Sequence, residues 1–515
     1  MAINITQRTL SDVVLSALSA LLVLIAAFSL QWRMMHDASC QMYLTYLIMH
    51  FHEIPYRDFF EENTLGTYVI YVMVGRLFGF SDFGFRCADL IYLGAILGVT
   101  WLWMKKLGRT VAWCGVVLFG LFYLGRGPVA SMQRDYHLML PTIVALLISS
   151  LPFRKFEVAK NVIIGALIGF SATIKPQAAI AFPIIVMFRI WGLRSDDRVS
   201  DSRRSVPAIL ISAIGGFLIP MALYYFYLVR VGALGQFLEI ARNYWPLYHS
   251  LTGYHETINA AQRLTYLRVN ALLFGGYRLW FLPAACGVCV AIFNSTFTPV
   301  QRRQVYLLLA MAFCYSLYAL SAGKFWPYHW LPFSYFMAQV SSLCLLRQVR
   351  AENDWLSRFP AAVLLVTIFM MIRPPAIFYA QISGRVIPPP NGGRVDEIAA
   401  YLKAHMRPGD KVQPLDWTGG ALHGMLIARA ELATSFYYDV PFYHHVSNEY
   451  VQQLRQRFIG ELTAASPRFI IQVETDKPWV SGEDTTREFR ELHVILDTRY
   501  RVALEGNGYR IYERR

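Results

Sequence analysis

Long apolar runs recur along the first three-quarters of the chain, almost without charge: Val13–Leu30, Leu90–Met104, Val206–Val229, Ala271–Phe293, Val305–Ala322 and Pro360–Ile372. A hydrocarbon core of about 30 Å asks for about 17–25 apolar residues in a helix that crosses it, so these runs are predicted as membrane helices. Past about Gly384 the pattern changes. Pro388-Pro389-Pro390-Asn391-Gly392-Gly393 marks a linker, and short alternating elements follow. Val395–His405, Gly419–Arg429, Tyr450–Ala464 and Glu483–Leu492 are predicted as helices, and Lys411–Leu415 and Arg468–Glu474 as strands. Tyr500–Leu504 and Tyr509–Tyr512 are predicted to close a hairpin around Gly506-Asn507-Gly508. The expected architecture is a polytopic α-helical membrane protein over residues 1–384 with a C-terminal soluble α/β domain over residues 385–515.

Charge orders the turns. Basic clusters at Lys105-Lys106/Arg109, Arg154-Lys155/Lys160, Arg189–Arg204, Arg302-Arg303 and Arg347/Arg350 mark cytoplasmic loops under the positive-inside rule. Two spans fit between neighbouring clusters. The turns midway, Gly125–Asp135, Lys175-Pro176, Gly232–Asn270 and Gly323–His329, are then expected on the outer face, together with the tail after Ile372. Counting Thr64–Phe80 as a full span would break this alternation. Its Arg76, two glycines and limited length suit a helix lying along the outer interface. The reading is therefore about 11 spans, with residues 31–85 as a large external loop carrying amphipathic helices and residues 231–271 as a later external loop.

Composition agrees with a membrane protein. The 515 residues are 55% hydrophobic and only 16% charged, against about 25% in an ordinary soluble protein. The net charge of +14 comes wholly from residues before 385, where it matches cytoplasmic turns, so no nucleic-acid partner is expected. Seven cysteines are scattered with no disulfide framework. Cys286-x-x-Cys289 lies in an apolar helix without histidines and reads as packing. No G-x-G-x-x-G follows a strand in the tail, so a nucleotide site is not indicated. His444-His445 near Asp439 reads as loop polarity rather than a metal centre.

Ionisable groups at the edges of membrane helices are costly to desolvate, which makes each a functional candidate. On the expected outer face they are dense: His36-Asp37, Glu61-Glu62, Arg134-Asp135, Lys175, Arg242, Lys324 and His329. Acids and cations meeting in one water-facing pocket suit sugar transfer from a polyprenyl phosphate. A carboxylate takes the proton from an attacking hydroxyl, and cations hold the phosphate and stabilise the charge that builds on it as it departs. Asp37 suits the first role, and Lys175, Lys324, Arg242 and His329 the second. Competing readings stand beside these: Asp37 as a helix N-cap, Arg134-Asp135 as a local ion pair, Glu61 and Glu62 as solvated loop carboxylates, and Lys324 as a snorkelling lysine in the Phe325, Trp326, Tyr328 and Trp330 belt.

The order of these features resembles the GT-C glycosyltransferase superfamily, in the branch of protein O-mannosyltransferases and the lipid A aminoarabinose transferase. His36-Asp37 is similar to the acidic position just after the first helix, which implies Asp37 as the catalytic base. Glu62-Asn63-Thr64-Leu65-Gly66-Thr67-Tyr68 stands where the family has an H-P-P-L-G-type motif, with Arg86 at the start of the next span. Gln133-Arg134-Asp135-Tyr136-His137-Leu138-Met139-Leu140-Pro141 resembles the stretch carrying a second aspartate, implying Asp135 as a supporting catalytic residue. Lys324-Phe325-Trp326-Pro327-Tyr328-His329 resembles a K-G-W-x-Y-H pattern, with Phe325 where Gly is usual. The chain departs from the family in having His36 before Asp37 instead of an Asp-Glu pair, and in lacking the double proline.

The expected function is an inverting glycosyltransferase of the bacterial inner membrane, with its active site and C-terminal domain on the periplasmic side. Its partners would be a polyprenyl-phosphate sugar donor, a glycan, lipid or protein hydroxyl as acceptor, and membrane lipids. No cofactor is indicated; a divalent metal is compatible with the pattern but not called for. The expected site comprises Asp37 and Asp135 as catalytic residues, with Glu61, Glu62, Arg134, Lys175, Arg242, Lys324 and His329 binding substrate. The alternatives are a lipid-linked glycan transporter or flippase, which needs polar groups near the midplane, and a polymerase or ligase using pyrophosphate-linked glycans.

Overall fold

A computed structural model describes residues 2–151, 156–194, 202–294, 296–346, 354–475, 477 and 480–515. The basic pairs Arg154-Lys155 and Arg347/Arg350 and the middle of the Arg189–Arg204 cluster lie outside the described residues. The chain divides into two compact units. One comprises Met1–Gln31, Asp89–Tyr224 and Val269–Arg385; the other comprises Trp32–Ala88, Tyr225–Arg268 and Val386–Arg515.

Among the described residues, six helices are long and apolar enough to cross a membrane: Ser11–Ser29, Asp82–Met104, Glu157–Ile174, Pro176–Leu193, Val206–Arg230 and Pro299–Ala322. Two bent pairs, Ala260–Gly276 with Arg278–Ile292 (63°) and Arg358–Met371 with Ala376–Ile382 (79°), bring the number to eight if each counts as one span. Arg109–Gly125 and Leu331–Ser342 have 17 and 12 residues, which is why length alone yields fewer spans than the loop charges suggest.

The first unit is built around Leu331–Ser342, in which every residue is buried. It packs against Arg109–Gly125, Phe281–Ile292 and Pro299–Ala322. A helix enclosed on all sides must satisfy its polar groups internally. Gln339 Nε2 donates to the Gly115 carbonyl at 3.0 Å, Ser341 Oγ to Met337 O at 2.7 Å, and Tyr335 shares a 2.8 Å hydrogen bond with Thr100. Elsewhere Gly165-x-x-x-Gly169 lets Glu157–Ile174 lie backbone to backbone on its neighbour. A Cβ at Gly165 would fall 2.1 Å from Ala213 O, and one at Gly169 would fall 2.3 Å from Phe217 O. Small residues at this spacing permit the close approach that drives helix packing in lipid.

The second unit contains a five-stranded sheet. With β1 Lys411–Leu415, β2 Glu431–Leu432, β3 Phe469–Val473, β4 Tyr500–Gly506 and β5 Tyr509–Arg514, the order is β2-β1-β3-β5-β4. β1 runs parallel to β2 and β3, while β5 is antiparallel to β3 and β4. Helices occupy Arg394–His405, Ala421–Ala428 and Glu449–Ala465. The helix expected at Glu483–Leu492 lies instead at Arg490–Arg499. Gly482 (φ 97°) and Asp484 (φ 51°) hold the preceding residues in turns, and only past the buried Phe489 does a regular helix begin.

Residues 32–88 complete this unit. An amphipathic helix was expected over Ala38–His50; the observed helix, Asp37–His50, is interior, with Ala38 through Leu47 all buried. It packs on Ala421–Ala428, and Tyr43 Oη donates to Ala430 O at 3.1 Å. Phe60 N donates to Ser435 O at 2.7 Å, and the Phe60 ring stacks on Phe436. Arg33 bridges Asp82 and Asp396, both at 2.8 Å. Gly66–Phe78, with 13 residues, exposes Val69, Met73 and Leu77 on one stripe and buries Tyr68, Tyr71 and Val74 on the other.

Candidate functional site

The predicted site residues divide between the units. Arg134, Asp135, Lys175, Lys324 and His329 belong to the first; Asp37, Glu61, Glu62 and Arg242 belong to the second.

In the first unit, Gly127 (φ 71°) and Met132 (φ 53°) turn the chain after Arg109–Gly125, and the single-turn helix Arg134–His137 presents Asp135 inward. Asp135 is completely buried. Lys175, at the break between Glu157–Ile174 and Pro176–Ile180, donates to both its oxygens at 2.9 and 2.8 Å. Tyr318 donates to Oδ1 at 2.7 Å. Burial would raise the Asp135 pKa, but the charges of Lys175 and the hydrogen bonds from Lys175 and Tyr318 outweigh it and hold the group below the usual carboxylate range.

His329 completes the cluster. Its ring packs against Trp326 and Tyr328, and its Nδ1 is buried without a hydrogen-bond partner among the described residues. Burial, with the charges of Lys175, Arg134 and Lys324, drives its pKa well below the usual value against the pull of Asp135, so the imidazole is neutral at pH 7. Three cations and one carboxylate thus act on a neutral ring. Lys324 is buried and Arg134 half-buried. Phe325, which follows Lys324 in sequence, has φ 55°, the left-handed region that glycine adopts at little cost.

In the second unit, Asp37 opens its helix at the first position, preceded by His36 at φ 56° and ψ −136°. The competing N-cap reading of Asp37 does not hold: His36 occupies the cap, and its side chain makes no capping hydrogen bond. His36 Nδ1 lies 2.9 Å from Asp37 Oδ1, and the two side chains keep 35% and 25% of their surface exposed. Burial opposes protonation of His36, yet the neighbouring Asp37 charge raises its pKa overall. One turn on, Cys40 Sγ contacts the Trp417 carbonyl at 3.1 Å.

The remaining predicted residues also belong to the second unit. Glu61 is fully buried; it accepts from Asn63 N at 2.8 Å and from the Tyr68 hydroxyl. It ties down the turn into Gly66–Phe78. Glu62 accepts from Tyr438 Oη at 2.5 Å, and its carbonyl accepts from Trp245 Nε1 at 2.7 Å. Arg242 is exposed on Leu234–Ser250. Asp439 pairs with Lys477, His444 contacts Val440 O, and His445 contacts Ser250 Oγ. Among the described residues no group of three or more His, Cys, Asp or Glu is placed to hold a metal ion.

Tyr318, Trp417 and His255 join these clusters without having been singled out as site residues by sequence. His255 lies edge-on to Trp417 at 4.7 Å, with His444 6.3 Å beyond. His255 carried the signal of an ionisable residue in an expected outer loop, and Trp417 that of the Asp416-Trp417-Thr418-Gly419-Gly420 turn between a strand and a helix.

No family model matches the chain, and no curated protein matches it. Among solved structures it is similar to the archaeal oligosaccharyltransferase AglB from Archaeoglobus fulgidus, solved in complex with an inhibitory peptide and a dolichol-phosphate. The TM-score is 0.45 at 13% identity, covering 88% of this chain and 69% of that one. At that TM-score the likeness carries no inference about chemistry.

Proposed function

We propose that this membrane protein is a glycosyltransferase that moves a sugar from a polyprenyl-phosphate donor to an acceptor hydroxyl at the outer face of a bacterial inner membrane, with inversion at the anomeric carbon. The observation that carries the reading is the cation-rich cluster around His329. The charges of Lys175, Lys324 and Arg134 all act on the buried His329 ring, and its Nδ1 has no hydrogen-bond partner among the described residues. That arrangement suits a phosphate: the cations offset its charge, and the imidazole N–H donates to an oxygen. Asp37, partly exposed beside a strained residue, suits the general base. It takes the proton of the acceptor hydroxyl as the oxygen bonds to the anomeric carbon, while the bond to phosphate breaks and its electron pair leaves with the lipid phosphate.

The test supplies vesicles containing the full-length protein with a panel of radiolabelled undecaprenyl-phosphate sugars. Asp37→Asn is expected to lower transfer by about 10²–10⁴-fold while donor still binds. Lys324→Met should weaken donor binding instead. Undiminished transfer by Asp37→Asn overturns the base assignment, and undiminished donor binding by Lys324→Met overturns the phosphate site.

A further inference from the structure

Trp417 belongs to the loop that leaves the carboxyl end of β1, a strand flanked on both sides by parallel neighbours. In open α/β sheets that end is where ligands are received. Two devices fix the loop. The buried Asp416 carboxylate accepts from Gly419 N at 3.0 Å and Ala421 N at 2.9 Å, and Cys40 on the helix that Asp37 opens contacts the Trp417 carbonyl.

The indole is only half-buried. His255 stands at 88° to it with centroids 4.7 Å apart, and His36, bonded in sequence to Asp37, lies at 57° with centroids 6.1 Å apart. The result is an indole flanked by two imidazole rings, one of which, His36, is in contact with the Asp37 carboxylate. A sugar ring has the matching duality: one face of C–H groups, and hydroxyls around its edge. A serine or threonine side chain is too small to cover the face of an indole, one of the side chains that bury about 150–250 Å² each.

From this geometry we infer that Trp417 is the platform of an acceptor subsite and that the acceptor presents a sugar ring, so the tail is part of the substrate-binding machinery rather than a detached appendage. The inference rests on the reading of Asp37 as the base. The ring stacks its C–H face on the indole, and the hydroxyl to be glycosylated points toward Asp37.

The experiment uses full-length protein in detergent micelles with a panel of methyl hexosides and pentosides, followed by saturation-transfer NMR. At least one glycoside should bind the unaltered protein, with transfer strongest to the ring C–H protons. Trp417→Leu, which keeps apolar bulk without an aromatic face, should weaken it by about tenfold or more, while Trp417→Phe keeps most of the affinity and shows that the loop still folds. Asp37→Asn should bind the glycoside within about twofold of the unaltered protein, which separates failure of the subsite from failure of the base. Equal binding by Trp417→Leu overturns the inference. So does a panel without any binder, or a Thr-containing tripeptide that binds through Trp417 where no glycoside does.

Discussion

Lys175 Nζ reaches both carboxylate oxygens of Asp135, and the two side chains keep 7% and 0% of their surface exposed. Removing one partner of such a pair strands the other charge in a low-dielectric interior, at about 3–5 kcal/mol. Asp135→Asn and Lys175→Met are each expected to destabilise the purified protein by that amount in denaturant unfolding. The double variant should lose less than the two losses combined. Because the folded Asp135 pKa lies below its ordinary 3.8, the pair's contribution is full above about pH 4 and fades as pH falls further. Asp135→Asn should lack that acid-dependent loss.

Phe325 holds a left-handed backbone, φ 55°, while its ring stacks on Trp330 with centroids 6.2 Å apart. The backbone costs about 1–2 kcal/mol for a residue with a side chain, and the stacking returns about 0.5–1.5 kcal/mol. Phe325→Gly should therefore leave stability within about 1 kcal/mol of the original. Phe325→Val, which keeps the strain and loses the ring, should melt clearly lower. Equal melting of the two variants would refute this balance.

Glu53 has a partly buried carboxylate with one oxygen unbonded among the described residues. Burial, then the charges of Asp58 and Glu431, raise its pKa from 4.5 to about 7. A raised folded pKa means that its contribution is intact below about pH 4.5 and is lost as pH climbs through about 7. Glu53→Gln mimics the protonated acid. It should match the original protein at pH 4 and exceed it at pH 8 by on the order of 2 kcal/mol, allowing for solvent contact, as read from melting between those pH values.

Gly165 and Gly169 face carbonyls of the Val206–Arg230 helix. Leucine at either position must push the two backbones apart, an overpacking cost of about 1–3 kcal/mol. Gly165→Leu should lower the melting temperature, whereas Gly94→Leu, at a glycine whose added Cβ meets nothing within 4 Å, should not.

Local pattern carried much of the tail: Lys411–Leu415 is a strand, and the hairpin closes at Gly506–Gly508. Alternation and turn glycines are nearest-neighbour signals, which a sequence displays directly. The two-residue β2 is too short to show a period. The interior character of Asp37–His50 depends on a cover, Ala421–Ala428, supplied from far along the chain. The same limit governed the sites. Asp37, Asp135 and Lys175 announce themselves as costly charges beside apolar helices, but Tyr318 lies 183 positions from the carboxylate it serves, and Trp417 lies 377 positions from Cys40. Conversely, Glu61 looks like a loop carboxylate until Tyr68 is seen to close over it.

The second unit is assembled from residues 32–88, 225–268 and 386–515. Its earliest segment leaves the ribosome long before the partner that covers it, so the side chains of Ala38–Leu47 wait uncovered until the last quarter of the chain has been delivered. Maturation of this unit is thus obliged to be a late, post-translocational event. A stop codon between residue 386 and Ala421 would deprive the first loop of that cover even though the membrane helices before it had already been inserted.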